Sequence, residues 1–323
     1  MKKPTIIIQI HNNFQHLEEC LKSIGDLNCE IIIGITTNHS EPFAIAENFT
    51  KNIYFLSFDN DFSKAKNELI LKSNNDFIFF MQPNEILIRG KEEIEEISQT
   101  YDVYKINLIH DNVITKPTRM WHKSKKCFFQ NPVYEYVKSD AKQSNIYLQY
   151  KSVDNFNLNL EMLQKWLEKT PLAIEPLYYK SCLMLSKMSY DDFINTATYY
   201  LFKENNKSMS YVLTKYYLGT VYCYVKKDFQ NAIKCAVECL TYKPLMAEFW
   251  CLLGDIYYSL DKYDKAYHFY DNAIILGSRR LKNDDWPFHI DKYKKNPEEM
   301  MANCLEIMTN SKQYLISKQH LNR

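Results

Sequence analysis

Polar residues that could take part in catalysis follow directly after an apolar run in the first third of the chain. Gln82-Pro83-Asn84-Glu85 comes after five consecutive apolar residues, Phe77 to Met81. Such a run without alternation is typical of a central strand that is covered on both faces. Ligands of open α/β sheets bind at the carboxyl ends of these strands. The sequence therefore predicts a site at Gln82 to Glu85, with an ordinary polar turn as the alternative.

Residues that favour the start of a helix precede this strand in the sequence. Asp61 and Ser63 can each accept a hydrogen bond from the free backbone amides at a helix N-terminus. The apolar residues from Ala65 to Leu71 give the predicted helix one apolar side, and Asn74-Asn75 ends it. Asp61 is thus either a capping residue or a residue that contacts a ligand.

The pattern of secondary structure changes near residue 150. Before it, strand signals (residues 5–10, 30–35, 53–58, 76–81, 103–109 and 126–129) alternate with helix signals (14–24, 43–49, 62–73 and 91–99). This alternation predicts a parallel sheet wrapped by helices over residues 1–150. After residue 155 long amphipathic stretches dominate, so we expect an all-α region over 155–323.

The all-α region contains a repeat. Small and aromatic residues fall at matched positions around Leu218-Gly219 and Leu253-Gly254, and Ala232 and Ala266 are 34 residues apart. This is the tetratricopeptide period, and its small residues allow two antiparallel helices to approach closely. A weaker unit spans 176–202, and a degenerate helix pair is expected over 297–319. An unrelated helical bundle is the alternative.

Composition excludes several classes of function. The 40 basic and 39 acidic side chains leave a formal charge of +1, so we expect no nucleic-acid partner. Six glycines form no G-x-G-x-x-G motif and no P-loop, and the nine cysteines form no C-x-x-C pair. A reducing compartment follows from this cysteine usage. Without a signal peptide or an apolar stretch long enough for a membrane helix, a cytoplasmic location is expected.

Four segments resemble the nucleotide-sugar domain of family 2 glycosyltransferases, which has the GT-A fold. Residues 5–24 resemble its first strand, polar turn and L-x-x-C-L-x-S-I helix, and residues 30–49 occupy the place of its E-I-I-V-V-D-T-G-S-T-D segment. Residues 61–70 resemble its D-F-S-x-A-R-N motif, and residues 119–137 resemble its later R-x-F to V-H-E-Y segment. The order resembles the subgroup in which tetratricopeptide repeats follow this domain.

The resemblance implies a donor site that has lost its usual acidic groups. Where the family holds a divalent metal with an Asp-x-Asp motif, this chain has Gln82 and Asn84. Amide oxygens carry no charge, so the implied Mn²⁺ or Mg²⁺ is expected to bind weakly, through Asn84, or not at all. The family's acidic residue that contacts the base and ribose falls at Ile35, and its later histidine falls at Tyr134.

The resemblance also assigns roles to the polar residues that remain. Glu85 or Glu135 would act as general base on an acceptor hydroxyl, and Lys66 with Arg119 would stabilise the leaving diphosphate. The residues implied to bind the nucleotide sugar are His11, Asn12, Asp61, Lys66, Gln82, Asn84 and Arg119. An ordinary structural role is the alternative for each, such as an exposed strand position for Glu135.

Three interpretations compete. The favoured one is a glycosyltransferase-like protein that transfers a sugar from a nucleotide sugar to a protein or glycan acceptor, with weak or absent dependence on a metal. The alternative is an inactive pseudo-glycosyltransferase that acts as a tetratricopeptide binding or scaffold protein. In the third interpretation the repeats alone bind peptides, and the N-terminal domain is vestigial. In each case a protein or peptide is the expected partner of the repeats.

Overall fold

The chain divides into two compact units in a computed structural model that describes the backbone of residues 3–280 and 284–321. Met1–Pro171 and Asp285–Phe288 form the first unit, which is a mixed α/β domain. Leu172–Asp284 and His289–Arg323 form the second unit, which is helical. Side chains are described up to residue 310. The combination of an α/β region and a tetratricopeptide-like helical region agrees with the sequence prediction.

The first unit is built on one twisted sheet whose central strand is β1. The strands are β1 Pro4–Ile10, β2 Glu30–Ile35, β3 Ile53–Phe55, β4 Phe77–Met81, β5 Glu85–Arg89, β6 Val103–His110, β7 Val113–Thr115, β8 Thr118–His122, β9 Phe129–Gln130, β10 Tyr136–Val137 and β11 Lys142–Tyr150. In the main sheet the order runs β7-β6-β8-β4-β1-β2-β3, and β11 pairs with β5 and β6, whereas β9 and β10 form a separate antiparallel pair. β1, β2, β3 and β4 are parallel, with Ile8 opposite both Ile33 and Met81. Their carboxyl ends therefore meet at one edge.

Helices cover both faces of this sheet. They are α1 Leu17–Ile24, α2 Glu41–Ala46, α3 Phe62–Lys72, α4 Lys91–Ile97 and α5 Phe156–Lys169. Ile6 and Ile8 pack with Leu21 of α1 on one face, and Ile7 packs with Leu69 of α3 on the other. β4 is buried along its whole length, as its unbroken apolar run predicted.

Three details of the sequence prediction were wrong. The strand expected at 126–129 begins only at Phe129, because a 3-10 turn, Lys123–Lys125, and Lys126 in the left-handed region with φ of 51° precede it. The sheet expected to be parallel is mixed, because Glu85 opens strand β5, which pairs antiparallel with β11. The helix pair expected over 297–319 is one continuous helix. The long-range pairing of β5 with β11 explains the second error, since local sequence does not record it.

The second unit consists of antiparallel helix pairs. The helices are α6 Glu175–Ser186, α7 Tyr190–Lys203, α8 Met209–Val221, α9 Phe229–Tyr242, α10 Ala247–Ser259, α11 Tyr263–Gly277 and α12 Lys295–Leu321. A π-helical turn, Tyr222–Lys226, extends α8. A Cβ on Gly254 would lie 2.5 Å from the Tyr270 ring, and one on Gly219 would lie 3.1 Å from Cβ of Cys235. This confirms the predicted role of the small residues in close helix packing.

Candidate functional site

The sequence-predicted site residues fall into three clusters in the α/β unit. The first lies at the carboxyl ends of β1 and β2. The His11 ring contacts Thr36 through Nδ1, 3.1 Å from Thr36 Oγ1, and packs against Phe58 and Phe62 with ring centroids 4.1 and 5.5 Å away. Burial lowers the pKa of His11, and the hydrogen bond to the Thr36 carbonyl partly opposes this shift. Asn12 beside it is exposed.

Asp61 caps the helix that follows this aromatic cluster. Its carboxylate accepts hydrogen bonds from the backbone N–H of Lys64 at 3.0 Å and from the hydroxyl of Ser63 at 2.7 Å. These bonds satisfy a donor that the first turn of α3 would otherwise leave without a partner. Asp61 is therefore held in a structural role, and its contact with a donor sugar stays a prediction.

Lys66 and Glu135 form the second cluster as a nearly buried ion pair. Lys66 Nζ lies 2.9 Å from Glu135 Oε1, and the two side chains are 9% and 11% exposed. The ammonium also lies over the Phe129 ring, 5.0 Å from its centroid. Asn67 on the same helix donates to the Phe129 carbonyl and accepts from its N–H, so α3 is fastened to this segment. The charge of Lys66 is thus already neutralised by a carboxylate.

Glu85 and Arg119 form the third cluster, at the end of β4. Glu85 is fully buried, and one of its oxygens accepts from Arg119 Nη2 at 3.0 Å. The other accepts from the backbone N–H of Gln82 at 2.8 Å. A buried carboxylate needs such partners because its desolvation is costly. Both carboxylate oxygens of Glu85 are therefore already hydrogen-bonded. The proposed roles of Glu85 and Glu135 as general bases remain predictions.

The side chains at the end of β4 do not fit a divalent cation. Asn84 is 2% exposed, and its amide donates to the carbonyl of Lys151 at 2.6 Å. Mg²⁺ and Mn²⁺ require several hard, accessible oxygens, and here the carboxylate of Glu85, the next residue in the chain, is paired with Arg119. Over the residues that the structure describes, no group of three His, Cys, Asp or Glu side chains could hold a metal.

The two further substituted positions are also part of the framework. Ile35, in the place of the family's acidic residue, is 1% exposed at the end of β2. The hydroxyl of Tyr134, in the place of the family's histidine, accepts from Asn159 Nδ2 at 3.3 Å. Both side chains thus take part in packing or bonding within the α/β unit.

A set of polar residues that the sequence analysis missed lies on α10. Glu248, Cys251 and Asp255 are spaced by three and four residues and share one face, which we call the α10 stripe. The chain segment His289–Tyr293, which we call the strap, lies on this face. The spacing of the three α10 stripe residues is visible in the sequence, but the same spacing occurs in any amphipathic helix.

The strap contacts all three members of the stripe. Glu248, 1% exposed, accepts from the backbone N–H of His289 at 3.0 Å and from the hydroxyl of Tyr293 at 2.8 Å. Cys251 Sγ donates to the Lys292 carbonyl at 3.5 Å, and Lys292 Nζ lies 3.6 Å from Asp255 Oδ2. Burial raises the pKa of Glu248 above its ordinary value. The hydrogen bonds from His289 and Tyr293 and the charge of Arg280, 3.8 Å away, oppose this shift only in part.

Comparison with known proteins supports the repeat region. Residues 247–274, which comprise most of α10 and α11, match the family profile described as Tetratricopeptide repeat. A search of curated proteins finds no match. Similar solved structures include MamA residues 41 to end from Desulfovibrio magneticus RS-1, with 18% identity over 47% of this chain and 84% of that one and a TM-score of 0.34. A MamA structure from AMB-1 has 14% identity over 52% and 87%, with a TM-score of 0.37.

In the part of the chain that the structure describes, no helix is both long enough and apolar enough to cross a lipid bilayer.

Proposed function

We propose that this chain is a binding protein whose tetratricopeptide-type helices take up a segment of a protein partner. The proposal rests on the match of residues 247–274 to the tetratricopeptide repeat. Repeat proteins of this kind present extended surfaces of stacked helices to their partners. The α10 stripe offers two carboxylates, Glu248 and Asp255, so a partner segment with basic and hydroxyl-bearing side chains suits it.

In this proposal the N-terminal unit is a glycosyltransferase-like domain that serves as a folded platform. The groups that would bind a nucleotide sugar's diphosphate, Lys66 and Arg119, are each paired with a buried or nearly buried carboxylate. A diphosphate could use either cation only by leaving Glu135 or Glu85 without its partner, which is costly in a buried site. The pairing favours the pseudo-glycosyltransferase interpretation over sugar transfer with weak or absent metal dependence.

Peptide selection tests the binding function. Random dodecapeptides displayed on phage are selected on the full-length chain, and the recovered peptides are titrated against variants. We expect basic and tyrosine-containing peptides, and an at least tenfold loss of affinity in Asp255→Asn. The matched control is Asp264→Asn, because Asp264 is an exposed aspartate in the first turn of α11. Recovered peptides that bind both variants equally would place the binding surface elsewhere, and a failure to recover any would count against the function itself.

A second candidate function is metal-independent binding of a nucleotide sugar. It is favoured by the His11, Phe58 and Phe62 rings beside exposed Asn12, because such rings can stack on a base. Calorimetric titration with uridine and guanosine diphosphate sugars, with and without Mn²⁺, tests it. Heat that His11→Ala abolishes would support this candidate, with Glu85 and Glu135 as its proposed bases. Absence of heat from folded protein would remove it.

A further inference from the structure

The connection between α11 and α12 is much longer than a helix pair requires. α11 ends at Gly277 and α12 begins at Lys295, whereas only Leu260–Lys262 joins α10 to α11. Antiparallel helices in bundles are commonly joined by about 2–8 residues. Part of the extra length, the strap, folds back onto the α10 stripe. The strap is not needed to close a helix pair, so its position on the stripe requires another explanation.

The strap contacts the stripe in the way that a bound peptide would. Its neighbouring residues Lys292 and Tyr293 reach the two carboxylates, Asp255 and Glu248, which lie about 10 Å apart along the helix axis at 1.5 Å per residue. A backbone N–H of His289 adds a third polar contact. A peptide with a lysine next to a tyrosine can offer the same three groups, a cation, an aromatic hydroxyl and a main-chain donor, to these carboxylates.

The strap also has less regular structure than the helices around it. The ring of Tyr293 packs beside Ala247 and Cys251 and under Arg280, but Ile290 is 43% exposed. The strap contains only one 3-10 turn, Ile290–Tyr293, preceded by His289 at the end of a two-residue strand, Phe288–His289. Segments with few buried apolar contacts open at a lower free-energy cost than the helices of a core. Glu248, however, needs hydrogen-bond donors whenever the strap leaves, because an unpaired buried carboxylate is strongly disfavoured.

We propose that the strap is a self-ligand that occupies the α10 stripe until a partner segment carrying a lysine or arginine next to a tyrosine replaces it. This inference rests on the proposed binding function and adds its regulation and the chemistry of the partner. The partner's cation takes the place of Lys292 at Asp255, and its hydroxyl takes the place of Tyr293 at Glu248. The free protein is then autoinhibited, and the partner binds with an affinity reduced by the cost of displacing the strap.

Full-length variants that loosen the strap allow the test. Lys292→Ala with Tyr293→Phe removes the ion pair and the hydroxyl but keeps the aromatic ring in place. The matched control is Lys294→Ala, which removes an exposed lysine adjacent to the strap. Circular dichroism checks the fold of each variant. If the double variant does not fold, Lys292→Ala alone replaces it, since Lys292 is a partly exposed side chain.

The probe is a fluorescent synthetic peptide that spans residues 287–295. Anisotropy should show at least tenfold tighter binding to the loosened variant than to the wild type or to Lys294→Ala. Adding Glu248→Gln to the loosened variant should abolish this gain. Hydrogen exchange within residues 289–293 should be faster in the loosened variant, which shows directly that the strap has been released.

The outcomes separate this inference from the binding function. Equal binding of the probe to wild type and loosened variant would overturn the self-ligand, as would release of the strap without any gain in binding. In either case the peptides selected on the full-length chain would still bind if the binding function is correct. If those peptides bind neither protein, the binding function fails as well. If they bind the loosened variant at least tenfold tighter and compete with the probe, both are supported.

Discussion

Buried carboxylates occur in both units, but the groups that neutralise them belong to different parts of the architecture. In the α/β unit, Glu85 is paired with Arg119 on strand β8. In the repeat unit, Glu248 accepts hydrogen bonds from the strap, which belongs to no helix pair. A bond between two framework elements can break only when the fold opens. Under the proposed function, a bond to the strap is exchanged for a bond to a partner.

This difference supports the proposal that binding belongs to the repeat unit. The α/β unit has the strand ends at which α/β proteins bind ligands, yet its charges there are satisfied internally. In the repeat unit, Glu248 and Asp255 have partners on the strap, and Asp255 also accepts a hydrogen bond from Tyr270 of α11. Removing a framework partner should therefore reduce stability, whereas removing a strap partner should change binding. The predictions below test this contrast in order of decreasing effect.

Loss of Arg119 should have the largest effect. Arg119→Met leaves Glu85 fully buried without its cation, and breaking a buried pair in this way typically costs about 3–5 kcal/mol. Urea denaturation of the variant measures the free energy of unfolding. The control, Lys142→Met, removes an exposed lysine that bonds Asp102, and such surface pairs contribute about 0–1 kcal/mol.

The double variant Glu85→Gln with Arg119→Met sharpens this test. It removes both charges, so most of the lost stability should return. If Arg119→Met were as stable as the wild type, Glu85 would not depend on this pair. The buried charges of the α/β unit would then not stabilise its fold.

Gly254→Ala should have the next largest effect, in the repeat unit. The new Cβ would lie 2.5 Å from the ring of Tyr270, whose hydroxyl is fixed by a hydrogen bond to Asp255 at 2.7 Å. Overpacking of this kind costs about 1–3 kcal/mol, and the better helix propensity of alanine offsets up to about 1 kcal/mol. Thermal denaturation should show a lower Tm. A Tm equal to or above that of the wild type would mean that α10 and α11 need no close approach here.

Removal of helix caps should cost less and should be similar in the two units. Asp61→Ala and Asp228→Ala each remove a side chain that accepts from a backbone N–H in the first helical turn, at 3.0 and 3.1 Å. Each loss should cost about 1 kcal/mol in chemical denaturation. If Asp61 also contacted a nucleotide sugar, its replacement alone would abolish calorimetric heat with such a donor. Equal costs without any change in heat would leave Asp61 as a cap.

Sequence predicted those features that depend on local pattern. The apolar run Phe77–Met81 is sufficient to indicate a buried strand, and Asp61 has the residue type of a cap. Strand β8 was missed because Thr118–His122 mixes polar and apolar residues, and its pairing with β4 depends on residues about 40 positions away. The strap was missed for the same reason, since His289 and Glu248 are 41 residues apart in sequence.

The smallest expected effect is the pH dependence contributed by one histidine in each unit. Burial lowers the pKa of His11, and burial together with Lys292 and Arg280 lowers the pKa of His289, beside which lies the carboxylate of Glu248. The unfolded chain, with a histidine pKa of about 6.5, therefore binds protons that the folded chain does not. Each histidine contributes stability that is fully present above about pH 6.5 and is lost as the pH falls through its lower folded pKa.

Denaturation at several pH values between about 5 and 7 should show that the free energy of unfolding falls as the pH falls. The slope should be smaller than the about 1.4 kcal/mol per pH unit that uptake of one whole proton on unfolding would give. His11→Gln and His289→Gln should each flatten the dependence. The raised pKa of Glu248 acts in the opposite direction, because its protonation on acidification favours the folded state. The slope removed by His11→Gln should therefore be clearer, and a steeper slope in that variant would mean that His11 is charged in the folded protein.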